Sequence, residues 1–158
     1  MTASGNRPDG VFGRSFAGSH RQSAERRTMD PLAGRIELSL PADSRYMRLA
    51  RLMASGVATT CGLPLEEVED FRIAVDELCA TLIEMGDGHQ VELRFELGSD
   101  ALEVVATTAA ADREAIDEER LALSRQILDV VTDGHDLSQA AGSVSFRARK
   151  LVRGRGVG

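Results

Sequence analysis

The stretch from Leu65 to Met85 constrains the fold more than any other part of this sequence. Leu65, Val68, Phe71, Val75, Leu78, Cys79 and Leu82 recur at helical spacing and share one face. Glu66, Asp70, Glu77, Thr81 and Glu84 lie on the opposite side. Gly62 breaks the preceding pattern, Pro64 suits a first helical turn, and Gly86-Asp87-Gly88 ends the run. Acids crowd the first turn, where the helix dipole favours them. A helix of this length is about 30 Å long. Its apolar face must be covered by a sheet or by other helices.

The flanking patterns supply that cover. Ile36, Leu38 and Leu40 alternate with Arg35, Glu37 and Ser39, which predicts a half-buried strand stopped by Pro41. Asp43 or Ser44 then caps a helix running to about Thr60, with an apolar stripe of Tyr46, Met47, Ala50, Met53, Val57 and Cys61. Arg45, Arg48 and Arg51 form a second stripe at intervals of three. After the long helix, Val91, Leu93, Phe95 and Leu97 alternate with charged residues. Leu102, Val104 and Ala106 alternate beyond the turn Gly98-Ser99-Asp100, so the two runs predict a hairpin. Thr107 to Asp112 reads as a small-residue loop. A further helix is expected from about Arg113 or Asp117 to Val131, burying Leu121, Leu123, Ile127, Leu128 and Val131, and Val144, Phe146 and Ala148 mark a last strand. The order β-α-α-β-β-α-β predicts an α+β, two-layer sandwich with its helices on one face of a mixed sheet. Residues 35–152 form the expected domain. Residues 1–34 have no sustained period and are expected to be disordered; 153–158 read as a frayed basic tail. Met29 is a second candidate translation start beside Met1.

Charge narrows the partners. Residues 31–146 carry nine Arg against 22 acids, while 147–158 carry four Arg and one Lys with no acid. A strongly acidic body repels a phosphate backbone, so direct nucleic-acid binding is not expected. Trp is absent and Tyr46 is the single tyrosine, which leaves no aromatic platform for single strands. No apolar run reaches a membrane-spanning length. Arg7, Asp9 and Arg14 are not followed by the apolar stretch of a secretory signal. Cys61 and Cys79, the only cysteines, sit among apolar residues and are expected to be buried and reduced, pointing to the cytoplasm. Asp133, His135 and Asp136 read as a helix end followed by a loop rather than a metal site, and His89 as a loop residue.

The segment Phe71-Arg72-Ile73-Ala74-Val75-Asp76-Glu77-Leu78-Cys79-Ala80-Thr81-Leu82-Ile83 resembles the signature helix of the RsbW/SpoIIAB-type anti-sigma factors, within the histidine-kinase-like ATPase superfamily. With its element order, the resemblance extends over roughly residues 35–152. It implies a sigma factor as partner, an anti-anti-sigma (STAS-type) protein as antagonist, and a homodimer. It places Glu77 as the general base in phosphoryl transfer to a serine of the antagonist. It places Thr81 where the family has the Mg²⁺-holding asparagine, and the only Asn of the chain is Asn6. The family's D-x-G-x-G nucleotide loop falls on Ala106-Thr107-Thr108-Ala109-Ala110-Ala111, which has neither the Asp nor a Gly, and its later glycine-bearing lid on about Arg120 to Ser124, again without Gly. The resemblance therefore implies an anti-sigma regulator whose Mg-ATP binding and kinase activity are weakened or lost. It also implies that Arg45, Arg48 and Arg51, on the first helix, lie near the partner-binding surface. Two other readings stand beside it. One is an active serine-protein kinase of the same family. The other is a ferredoxin-like regulatory module binding a small molecule, which would place the first and third strands at the centre of the sheet rather than the hairpin beside the last strand.

Overall fold

A computed structural model describes residues 34–112 and 117–153. The expectations for residues 1–33, for Arg113 and for 154–158 lie outside the described residues. Five strands and three helices follow one another: β1 (Gly34–Pro41), α1 (Met47–Thr60), α2 (Leu65–Met85), β2 (Gln90–Leu97), β3 (Ala101–Ala109), α3 (Glu118–Val131), β4 (Gly134–Ala140) and β5 (Ser143–Leu151). A short 3-10 turn, Ser44–Tyr46, leads into α1 and is capped by Asp43, whose carboxylate accepts from the Arg45 N–H. Gly62, at φ 76°, takes the left-handed conformation that ends α1.

The strands form one sheet in the order β1-β2-β3-β5-β4, and every neighbouring pair is antiparallel. The β2-β3 hairpin lies beside β5, as the sandwich requires, and the ferredoxin-like arrangement is excluded. The expected mixed sheet is corrected to an antiparallel one, and the cause is β4. Residues Gly134 to Ala140 read as turn and loop because they offer only Leu137 as an apolar residue before Ala140; they form an edge strand instead. With β4 present, β5 returns antiparallel to β3. Without it, the chain leaving α3 would have to enter the sheet parallel to β3.

All three helices cover one face, with α2 between α1 and α3. The register carries a continuous apolar row across that face: Leu38, Leu93, Ala106, Phe146 and Leu137. The opposite face carries a charged row, Arg35, Glu96, Glu103 and Arg149. One covered and one polar face is the common condition of an antiparallel sheet. From α2, Phe71, Ala74, Val75, Leu78, Cys79 and Leu82 are fully buried. Leu65 is 77% exposed and Leu123 is 52% exposed, so neither belongs to the core as expected. Helix α3 instead buries Leu121, Ser124, Leu128 and Val131. On α1 the buried stripe is Met47, Ala50, Ala54, Val57 and Ala58, and Tyr46 stays exposed.

Cys61 and Cys79 are buried and unpaired. Burial pushes the Cys79 thiol up to about 12, the Asp76 carboxylate adding to the effect and Arg51 opposing it. Lys150, the one lysine of the chain, is buried at the opposite end of the sheet from the α2–β2 turn. Its Nζ donates to Asp70 (3.0 Å) and to the Val131 carbonyl (3.2 Å), tying β5 to the start of α2 and the end of α3. No helix among the described residues is long and apolar enough to cross a membrane.

Truncating Phe71 or Leu78 to alanine should cost about 2–5 kcal/mol each, the range for large-to-small changes in a closed core. Leu65→Ala and Leu123→Ala should stay within about 0.5 kcal/mol of wild type. Urea titration of the four variants checks both halves.

Candidate functional site

A cleft of about 980 Å³ opens where α2 ends, β3 ends, α3 begins and β4 turns into β5. The topology brings these four together. Helix α2 and strand β3 finish at the same end of the sheet, α3 starts there, and the β4–β5 turn, with Gly142 at φ 80°, closes the side. The charged side chains lining it are Glu84, Asp117, Glu118 and Arg120.

Glu77 and Thr81 share one side of α2, as their spacing requires. What they face is α3. Glu77 does not line the cleft. Its Oε2 accepts from Arg120 Nη1 at 3.2 Å, and the side chain is 20% exposed. Arg120 Nε lies 3.5 Å from Glu84 Oε1, so one guanidinium serves two carboxylates seven residues apart on α2. Burial pulls the Arg120 value down, but the hydrogen bonds and charges of Glu77 and Glu84 outweigh it and hold the guanidinium above its ordinary value.

Thr81 is 3% exposed, which corrects its placement on an open polar side. Its hydroxyl is hydrogen-bonded to Ser124 Oγ of α3 at 3.0 Å. Although Thr81 lines the cleft, its one polar side-chain atom is already engaged. Residues 107–109, expected in a loop, extend β3. Thr108 donates its hydroxyl hydrogen to the Gln90 carbonyl at 2.7 Å. Beyond the strand the Ala110 N–H donates to the Gly142 carbonyl and the Ala111 N–H to the Met85 carbonyl. Two backbone donors that a nucleotide loop would offer are spent within the fold. Gly86 makes that closure possible: a Cβ there would fall 2.7 Å from Thr108 Oγ1 and 2.8 Å from the Leu82 carbonyl oxygen.

Among the described residues, the cleft offers a triphosphate few free donors and one cation. A triphosphate needs free donors and cationic groups. Here the donors of Ala110 and Ala111 and the hydroxyl of Thr81 are taken. The cleft's acids outnumber its Arg, whose charge is shared between two carboxylates.

Arg45, Arg48 and Arg51 are all exposed, as the stripe implied. Arg51 Nε bonds Asp76 of α2 at 2.7 Å and Arg45 holds its own capping Asp43, while Arg48 projects from the next turn. Asp133, His135 and Asp136 do not converge. Asp133 accepts from the Leu151 N–H, His135 pairs with Asp129 at 2.8 Å, and Asp136 lies on β4 opposite Arg147. His89 lies in the exposed turn before β2. Among the described residues no three His, Cys, Asp or Glu side chains group as metal ligands would. Arg120 and Ser124 bound the segment matched to the family's lid, but their pairing with Glu77 and Thr81 was not legible in the sequence. The usable signal was the pair of spacings, 77-81-84 on α2 against 120-124 on α3. Nothing in the sequence shows that those two faces meet.

An antiparallel sheet covered on one side by three helices, with a cleft at the end of the long central helix, is an α+β two-layer sandwich of the kind ATPase-type domains use. The profile of the histidine kinase-like ATPase domain matches residues 40–150, and the chain belongs to that family. It is similar to the serine-protein kinase RsbW of Bacillus pumilus, 37% identical over 76 residues that make up 44% of this chain and 47% of that protein. The RsbW of Halalkalibacterium halodurans is 34% identical over 74 residues, 46% of each chain. That of Bacillus subtilis is 32% identical over 108 residues, covering 66% of this chain and 64% of the relative. The chain thus spans about half to two thirds of the length of these relatives.

Gly86→Ala should destabilise the domain by about 1–3 kcal/mol, because the Leu82 carbonyl is backbone and cannot step aside. Gly56→Ala, in the interior of α1, meets nothing within 4 Å. It should raise stability by up to about 1 kcal/mol. Thermal melts of the two variants separate close approach from simple helix propensity.

Proposed function

We propose that this chain is a cytoplasmic anti-sigma-type regulator that acts by holding a sigma factor and is countered by an STAS-type antagonist. In this reading it binds Mg-ATP weakly and transfers phosphate slowly or not at all. One observation carries it: the groups at the family's nucleotide positions, Glu77, Thr81, Ala110 and Ala111, bond to α3, α2 and the β4–β5 turn. Phosphoryl transfer depends mainly on positioned metal and electrostatic stabilisation, so a base alone contributes little. An acidic body suits a partner that carries basic, DNA-directed segments. The exposed Arg45 and Arg48 offer a local patch of the other sign for acidic groups of the same partner.

The second reading, an active serine-protein kinase, is favoured by the names of the relatives and by the retention of Glu77. A radiolabelled-phosphate assay against a serine-bearing antagonist separates the two. Wild-type protein should label the antagonist no faster than Glu77→Ala does. Robust labelling that disappears in Glu77→Ala would establish the kinase instead. A ligand at 100 times its Kd adds about 2.7 kcal/mol of stability. Millimolar Mg-ATP should therefore leave the melting temperature nearly unchanged.

Reversing Arg45 and Arg48 together to Glu should weaken sigma-factor capture tenfold or more, about 1.4 kcal/mol. Arg51 is left in place because it holds Asp76. The melt should fall by no more than about 1 kcal/mol, the upper range for an exposed pair such as Arg45 and the capping Asp43. Equal capture by wild type and variant would remove the stripe from the interface.

A further inference from the structure

The contacts between α2 and α3 form a ladder. Arg120, on the first turn of α3, reaches Glu77 and Glu84 of α2. One turn along, Ser124 bonds Thr81, which lies between those two acids on α2. Leu128 and Val131 continue the same stripe of α3 into the apolar core. The polar end of the seam is thus closed by side chains of the chain itself. Of the cleft-lining Arg and Lys side chains among the described residues, Arg120 is the only one, and it is turned onto α2.

Given the proposed loss of nucleotide chemistry, we infer that Arg120 is a built-in latch that closes α3 onto α2 in place of a bound ligand. The guanidinium is a planar fork with several donors, so it can serve two carboxylates at once, which a single ammonium point charge does less well. It neutralises Glu77 and ties the start of α3 at the mouth of the cleft, where the apolar stripe has only Leu121 to hold it. The position of α3, and with it the shape of the cleft and the β4–β5 turn beside it, is then set by an internal ion-pair seam. Arg120 is a positioning residue in this scheme, acting through Glu77 and Glu84. A partner contacting this end of the domain meets one fixed surface whatever the nucleotide level.

Hydrogen exchange on the intact chain tests the latch without any partner. Arg120→Met keeps the apolar stem and removes the fork, and Glu77→Gln with Glu84→Gln removes the two acceptor charges. Each variant should speed amide exchange at residues 121–125 by about tenfold, while amides of α2 around Leu78–Leu82 keep their wild-type rates. The combined triple variant should exchange no faster than Arg120→Met alone, because all three substitutions break one seam. In wild type, millimolar Mg-ATP should leave exchange at 121–125 unchanged. Unchanged exchange in Arg120→Met, or additive effects in the triple variant, would overturn the latch. So would slowing of wild-type exchange at 121–125 by Mg-ATP, since a ligand would then be closing α3. Failure of the anti-sigma reading shows elsewhere, as loss of sigma-factor capture.

Discussion

Helix α2 is enclosed on three sides, by the sheet beneath it and by α1 and α3 beside it. The polar groups of α2 that face these neighbours need an internal partner or bear a desolvation cost, most of all the buried Thr81. The neighbours supply those partners. Arg51 of α1 takes Asp76, Arg120 of α3 takes Glu77, Ser124 takes Thr81, and Lys150 of β5 takes Asp70. The apolar side of α2 builds the core, and its polar flanks decide how the two outer helices and the last long strand are seated.

That arrangement has a direct consequence at the cleft. In the family, the polar flank of this helix is where a nucleotide and its metal are read. Here the same flank is occupied by side chains of α3. A carboxylate or hydroxyl bonded within the protein has fewer free lone pairs and less freedom to turn toward a ligand. The stretch after β3 follows the same logic. Its N–H groups are taken up at Gly142 and Met85, an approach that Gly86 alone permits because any side chain there would strike the Leu82 carbonyl.

Direction in the sheet depends on counting. Two helices between β1 and β2 bring the chain back to the end it left, so β2 runs against β1. A single helix between β3 and the next strand leaves that strand parallel to β3. The fold avoids a parallel pair by placing β4 at the edge and returning through a tight turn at Gly142, so that β5 enters beside β3 in the opposite sense. An edge strand with no buried residue and a single apolar anchor, the half-buried Leu137, leaves almost no periodic trace. Its presence makes antiparallel the sheet expected to be mixed.

The sequence by itself determined the long helix, the alternating strands around it, a cap at Asp43 or Ser44, the burial of both thiols and the kinship with the ATPase-type domains. Each of these rests on local spacing or on short-range chemistry, which a chain displays without being folded. Leu65 and Leu123 show the limit of that reading: both fit a helical apolar stripe, and both stand in solvent because no neighbouring element reaches them. Only the tertiary structure decided which face of α2 meets α3, and therefore that Glu77 is held by Arg120 and Thr81 by Ser124. Those partners lie 43 residues apart in the chain. Their meeting depends on the packing of two helices against a common sheet, which no local pattern encodes.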